Sequence, residues 1–485
     1  MPVAFPAIQR VLGLLLMIFS LTMLLPIAFS LYFDDGTWKA FAASFLIILG
    51  SATVIWLPVR HEHHELRRRD GFLVVALFWV VLGLFGAAPL LLSANPSMNF
   101  TDAVFESVSG LTTTGATVLT GLDSLPKSIL YYRQQLQWLG GLGLIVLAVA
   151  VLPMLGVGGM QLYRAEMPGP VKDTKLTPRV TETAKALWYV YLGITVVCGL
   201  AYWAAGMGAF DALCHAFSTV AIGGFSTHDA SIAYFDNTLI EMIAVVFMFV
   251  SGVNFSLHFL AWRHRRLTHY LTDPEFLAYL KLLSGLTLVV LIYLYLTGVY
   301  STLAETFTKG LFQVVSIGTT TGFTTDSFVA WPGALPVLLI LTSFIGGCAG
   351  STAGGMKVIR WLLMYKQGWR EVQRLVHPSA MITVKLGNTA VDSRVVDSVW
   401  GYFAVYVVVF GALLLIVLAS GVDQVTAFSA IAATMNNLGP GLGEVANGFG
   451  DLNAISKWSA ICAMLLGRLE IFTLLVLITP TFWRR

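Results

Sequence analysis

Four short segments carry residue types that can take water from a cation. They are Thr112-Thr113-Thr114-Gly115, Ala221-Ile222-Gly223-Gly224, Thr319-Thr320-Thr321-Gly322 and Asn436-Asn437-Leu438-Gly439. Their last glycines stand 109, 98 and 117 residues apart, and a long apolar segment flanks each on both sides. Set on those glycines, the four align without gaps. The residue five before is Gly110, Thr219, Ile317 or Thr434, and the residue two after is Thr117, Ser226, Thr324 or Gly441. Glycine adopts backbone dihedrals closed to other residues, so it can turn successive carbonyls in one direction. Four inward rows of carbonyls from one chain can replace the hydration shell of K⁺. Small and hydroxylated residues are also frequent where membrane helices touch. Four copies at matched positions in matched surroundings favour the ion-binding reading. The rows are unequal, threonine-rich in the first and third and asparagine-bearing in the fourth, so a pore built from them is only approximately fourfold.

Two further features suggest control of passage. Between Ile345 and Lys357, glycines stand at 346, 347, 350, 354 and 355, with Ser351 and Thr352 among them. Gly346, Gly350 and Gly354 have the spacing of a tight helix contact. Yet five glycines would cost a continuous helix roughly 4–5 kcal/mol relative to alanine. An unwound loop beneath the filter, acting as a gate, is the better expectation. Arg468 lies deep in the last apolar segment, where a charge is costly and usually faces a cavity or a partner. Its neighbour Glu470 points to another helix face, so Arg468 is expected to form part of the permeation barrier. Glycines 24–28 residues after each filter glycine, at Gly140, Gly252, Gly346 and Gly467, are hinges or packing points, and spacing does not choose between them.

These features need elements to hold them. Of 485 residues, 57% are hydrophobic and 11% charged, against about 25% charged in a soluble domain. The chain is therefore expected to be an all-α, polytopic membrane protein. Ten stretches are long and apolar enough to span a bilayer: 11–33, 38–58, 71–94, 128–156, 184–206, 237–262, 276–299, 334–364, 396–420 and 455–482. Between the last eight, taken in pairs, lie shorter semi-polar stretches at 101–112, 209–221, 304–318 and 423–436. Each begins near an acid able to cap a helix start, Asp102, Asp211, Glu305 or Asp423, which also opposes the positive helix end. They read as half-helices that enter the membrane and stop midway. Irregular backbone at that depth is tolerated where it lines a water-filled cavity. The expected domains are an N-terminal two-helix hairpin (1–70) and four helix, half-helix, filter, helix repeats at 71–160, 183–262, 275–365 (with the gating loop 345–357) and 396–485.

Charge placement sets sidedness. Of 29 Lys and Arg, 22 fall on the face holding both termini and the loops 59–70, 160–185, 262–275 and 357–396; five fall opposite, with 14 acids. Basic loops stay cytoplasmic, so both termini are expected inside and the filters face outward, where the acids draw cations in. Cys198, Cys214, Cys348 and Cys462 stand singly and suggest neither metal nor disulfide. His61-Glu62-His63-His64-Glu65 lacks a metal-ligand register and reads as a solvated loop. No Walker loop or other catalytic motif is present, so no enzyme, no covalent cofactor and no nucleic-acid partner are expected.

Four such units with one filter glycine each, preceded by two extra helices, resemble the Trk/Ktr/HKT superfamily of potassium transporters, and its bacterial TrkH-type branch in particular. The resemblance runs from the first hairpin to Arg485. It implies K⁺ uptake, with Rb⁺ as surrogate, across a bacterial inner membrane through a gated pore. In that superfamily serine at the first filter glycine goes with sodium transport, and here Gly115 stands. The resemblance also implies an intramembrane loop and a basic residue obstructing the pore below the filter, a homodimer, and a peripheral nucleotide-binding regulatory subunit of the TrkA type that carries any nucleotide. The basic stretches 160–182 and 357–396 suit such a partner, or the acidic lipids of the inner leaflet. A secondary symporter coupled to H⁺ or Na⁺ is the alternative; repeats in the same orientation argue against the inverted-repeat carriers.

Overall fold

The computed structural model describes residues 5–61, 68–143, 180–469, 471, 474, 475, 477 and 479–483. The loop 160–182 lies almost wholly outside them, and so do most of the His61–Glu65 tract, Glu470, Arg484 and Arg485. Among the described residues all regular secondary structure is helical apart from one small hairpin, Lys385–Leu386 paired antiparallel with Thr389–Ala390. Six described helices are long and apolar enough to cross a membrane, and a bent pair makes a seventh.

The leading span, Phe5–Phe33, breaks briefly after Leu21 and resumes at Leu24. It pairs with Trp38–Trp56, and a side chain on Gly13 would overlap Trp56, so the two helices meet closely. This hairpin packs on repeat 1 through a cluster holding Val11, Phe19, Phe41, Trp79 and Phe105, all at most 2% exposed. The hairpin and repeat 1 thus share one hydrophobic cluster, which continues to Ala460 and Met464 of repeat 4.

Four half-helices lie where the semi-polar stretches predicted them: Phe100–Leu111, Ala209–Ala221, Leu303–Gly318 and Gln424–Met435. The capping expectation needs correction. Only Asp423 is itself the cap, accepting from the Val425 and Thr426 amides. Asn99 and Thr302 cap the first and third, accepting from Asp102 N and Glu305 N, and Gly208 precedes the second without a side-chain cap. The acids stand three residues further in, as in a capping box. Their charge still faces the positive helix end.

The second helices of the repeats depart most from straight spans. In repeat 1 the helix Lys127–Trp138 gives way to a π-turn, Leu139–Gly143, and its expected continuation lies outside the described residues. In repeat 2 the predicted single span 237–262 is two helices, Thr238–Ser251 and Phe255–His264, bent by 93°. Asn254, whose side chain accepts from Ser256 N, restarts the helix there. Repeat 3 is broken as expected, into Leu335–Ser343 and Val358–Val376. Repeat 4 runs Ala454–Arg468.

Candidate functional site

Each half-helix ends in a Schellman motif, in which the last amides bond back five and three residues. The longer bonds are Thr114 N to Ser109 O (2.9 Å), Gly223 N to Ser218 O (2.8 Å), Thr321 N to Ser316 O (2.7 Å) and Leu438 N to Ala433 O (2.8 Å). The shorter join Thr113 to Gly110, Ile222 to Thr219, Thr320 to Ile317 and Asn437 to Thr434, at 3.0–3.2 Å. Such a cap needs a left-handed residue, and Thr113, Ile222, Thr320 and Asn437 supply it with φ of 56°, 54°, 69° and 53°. A side chain there costs about 1–2 kcal/mol, which the surrounding bonds must offset. The glycines two residues on are also left-handed: Gly115 78°, Gly224 78°, Gly322 83° and Gly439 98°. The carbonyls of Thr113, Thr114, Ile222, Thr320, Thr321, Asn437 and Leu438 accept no backbone hydrogen bond among the described residues.

The four turns close a ring. A Cβ on Gly115 would overlap the Gly223 carbonyl oxygen, one on Gly224 that of Thr321, and one on Gly322 that of Leu438. One on Gly439 would stand 2.8 Å from Thr114 O, back in the first turn. Each repeat therefore touches the next in chain order, and the fourth touches the first. All four glycines line one cavity of about 310 Å³, together with Thr117, Ser226 and Thr324. Several acids expected to face outward are paired: Glu106 with Arg133, Glu241 with Lys309, and Asp102 with Lys457, each at 2.7 Å. Arg133 and Glu106 are buried, and both bond to Thr117 Oγ1, which fixes the strand just above the ring.

Side chains behind the turns differ by repeat. In the first and third, threonine hydroxyls pair with each other, Thr112 with Thr114 and Thr319 with Thr321, at 2.8 Å. In the fourth, Asn436 accepts from the Tyr406 hydroxyl (2.5 Å) and donates to Ser343 Oγ (2.9 Å), while Asn437 donates to Thr114 Oγ1 (2.9 Å). In the second, Gln137 of repeat 1 donates to Gly223 O (2.6 Å) and accepts from Phe225 N (3.1 Å). Sequence reasoning missed Gln137. Its signal was the polar run Arg133-Gln134-Gln135-Leu136-Gln137 inside an expected membrane helix, where polar groups are seldom idle.

Directly against the ring lies the non-helical stretch 344–357. Gly354 N donates to Thr320 Oγ1 (2.7 Å) and Gly355 N to Asn436 O (3.0 Å). Thr352 Oγ1 donates to Val220 O (2.9 Å), and Cys348 N to Gly252 O (2.8 Å). Gly346, Gly350 and Gly355 are left-handed, and a Cβ on Gly346 would overlap the Gly354 carbonyl, so the loop doubles back on itself. Glu275, buried at the start of the first helix of repeat 3, accepts from Ala349 N (2.7 Å) and Ile359 N (3.1 Å) and so holds the loop's outer limb. Nothing in the local sequence announced Glu275.

Arg468 binds this loop to two other repeats. Its guanidinium donates to Thr352 O (3.2 Å), to Thr113 Oγ1 (3.3 Å), and to the carbonyls of Gly140 and Gly141 (both 2.6 Å). The structure also decides the second-helix glycines in two repeats. A Cβ on Gly140 would overlap Leu111 O and one on Gly467 would overlap Met435 O, so both are close-approach points against their own half-helix.

A multi-pass helical membrane protein in which four turns of one chain enclose a single site is the class that fold and site define. The chain matches the TrkH family of cation transport proteins over residues 37–484. It belongs to that family, which comprises transporters and not enzymes. It is 60% identical over 478 residues to the Trk system potassium uptake protein TrkH of Halomonas elongata, and 55% identical over 480 to that of Escherichia coli K12, covering 99% of each chain in both cases. It is also similar to the crystal structure of the potassium transporter TrkH from Vibrio parahaemolyticus, with a TM-score of 0.91 and 54% identity over 99% of this chain and 100% of that one.

Proposed function

We propose that this chain takes up K⁺ through a single gated pore whose filter is the ring of four turns. The observation that carries the reading is the cyclic contact of Gly115, Gly224, Gly322 and Gly439 around one cavity. The bound species is K⁺ itself, held as cargo by backbone carbonyls of Thr112–Gly115, Ala221–Gly224, Thr319–Gly322 and Asn436–Gly439. Carbonyl oxygens arranged in rings replace water around the ion, and the C-terminal ends of the half-helices add negative dipole ends toward it. The names of the relatives, all potassium uptake proteins, support K⁺ as the substrate.

The gate in this reading is the 344–357 loop with Gly346, Gly347, Gly350, Ser351, Thr352, Gly354 and Gly355. Arg468 tethers it and places positive charge below the filter. Opening requires the loop to leave the Thr320 hydroxyl and the Asn436 carbonyl. The membrane is the bacterial inner membrane, with both termini cytoplasmic and acidic lipid near the basic loops. Two copies form the working assembly, and a peripheral nucleotide-binding subunit acts on the cytoplasmic face to move the loop. The test is uptake of Rb⁺ against Na⁺ in liposomes by the wild type and Gly115→Ser. The substitution is expected to lower the preference for Rb⁺, and an unchanged preference overturns the filter assignment. Uptake driven by a proton or sodium gradient in the same liposomes would point to the coupled symporter instead.

A further inference from the structure

The filter turns alternate in how they are supported, and the alternation gives Gln137 a role. Turns 1 and 3 brace themselves through a threonine pair at positions three and one before the ring glycine. Turns 2 and 4 lack that pair, having Ala221 and Gly223, or Asn436 and Leu438, at the same positions. Both are braced from outside, by residues at one matched position of the preceding repeat. Gln137 stands three residues before Gly140 and braces turn 2. Ser343 stands three before Gly346 and braces turn 4 through Asn436. The matched residues of repeats 2 and 4 are Phe249 and Met464, whose side chains carry no such group.

We infer that Gln137 is a positioning residue that replaces the absent threonine pair of turn 2 and sets how strictly the ring discriminates among monovalent cations; this rests on the filter reading above. Gln137 is fully buried, and its amide occupies the place a side chain on Gly223 would fill: a Cβ there would overlap its Cδ and Oε1. It holds the strand from both sides of the ring glycine, by the Gly223 carbonyl below and the Phe225 amide above. The Gly223 oxygen is also the atom against which Gly115 packs. Moving it alters the distance between turns 1 and 2, and so the size of the oxygen ring that an ion meets. Because one of its lone pairs is committed to the Gln137 amide, this oxygen is also a weaker ligand than its counterparts in turns 1 and 3.

The experiment compares Rb⁺ and Na⁺ uptake in liposomes for wild type, Gln137→Leu and the exchange variant Gln137→Ala/Ala221→Thr/Gly223→Thr. Gly223 is not in the left-handed region, so threonine fits its backbone once Gln137 is shortened. Gln137→Leu is expected to lower the Rb⁺ over Na⁺ preference about fivefold, the order one hydrogen bond supports, and the exchange variant to restore most of it. An unchanged preference in Gln137→Leu overturns the inference. So does a lost preference that the exchange fails to restore, since Gln137 would then serve packing alone. If Gln137→Leu does not reach the membrane, the exchange variant decides by itself, with retained preference supporting the inference and lost preference overturning it. Gly115→Ser separates the two readings: if it changes ion preference while Gln137→Leu does not, the filter assignment survives and this inference fails.

Discussion

The ring turns and the loop beneath them are both glycine-rich, yet they are held in opposite ways. Every ring turn carries two backbone bonds within its own repeat, those that finish its half-helix, and turns 2 and 4 add one brace from the preceding repeat. The loop at 344–357 is held largely by groups from elsewhere: Val220 and Gly252 in repeat 2, Asn436 and Arg468 in repeat 4, and Glu275 from the opposite end of repeat 3. Locally capped backbone has little to gain by moving, whereas a segment held by remote contacts can be released as a unit when those contacts change. A rigid ring beside a releasable loop is the division of labour that the proposed gated conduction requires.

The largest effect is expected from placing a branched side chain in the ring. Gly322→Val combines an overlap with Leu438 O and a positive φ, whose strain alone is about 1–2 kcal/mol. Rb⁺ uptake should fall to the background of empty liposomes while the protein still elutes as a single species. Retained uptake would break the comparison at its rigid side. Next is Arg468→Ala, which deletes the bonds from one guanidinium of repeat 4 to repeats 1 and 3. Charged hydrogen bonds are worth about 1.5–3 kcal/mol each, so flux without any added partner should rise about tenfold or more. Unchanged flux and gating would remove Arg468 from the barrier.

Glu275→Ala should act in the same direction but less, because it frees only the loop's outer limb; a rise of about threefold to tenfold is expected from two backbone bonds. Equal or greater effects than Arg468→Ala would relocate the main tether to Glu275. The smallest effect belongs to the rim of the ring's cavity, where His228 stands. Burial tends to lower the His228 pKa, but the Asp211 carboxylate 3.6 Å away and the hydrogen-bonded Asp123 carboxylate outweigh it, and the net shift is upward. A raised folded-state pKa contributes stability that is fully present below the unfolded value, about 6.5. That contribution is lost as pH rises through the folded value. The melting temperature of wild type should therefore exceed that of His228→Gln below about pH 6 and converge with it in mildly alkaline buffer. A gap that grows with pH would contradict the pairing.

Legibility followed the range of the interactions. The half-helices and ring glycines were readable because caps, apolar spacing and a left-handed glycine are properties of a few neighbouring residues, repeated four times. The break in repeat 3 was readable because five glycines in ten residues weaken any helix. The bend in repeat 2 was not, since Ser251-Gly252-Val253-Asn254 holds a single glycine and the helix restart depends on the Asn254 side chain and on Gly350 O, which accepts from Phe255 N. Three of the four capping acids, all but Asp423, were misplaced by three residues because a carboxylate at either position suits the helix dipole, and only the folded backbone separates cap from first turn.

The amino-acid order by itself determined membrane residence, the number of repeats, the start and stop of each half-helix, and which glycines turn the chain, because all of these follow from short-range sterics and solvation. Tertiary structure alone decided that turn 4 closes on turn 1, that Gln137 and Ser343 brace the turns lacking threonine pairs, and that Glu275 and Arg468 hold the loop. Those bonds join residues 74 to 116 positions apart and more, and a separation of that length is set by the packing of whole helices, which no local pattern encodes.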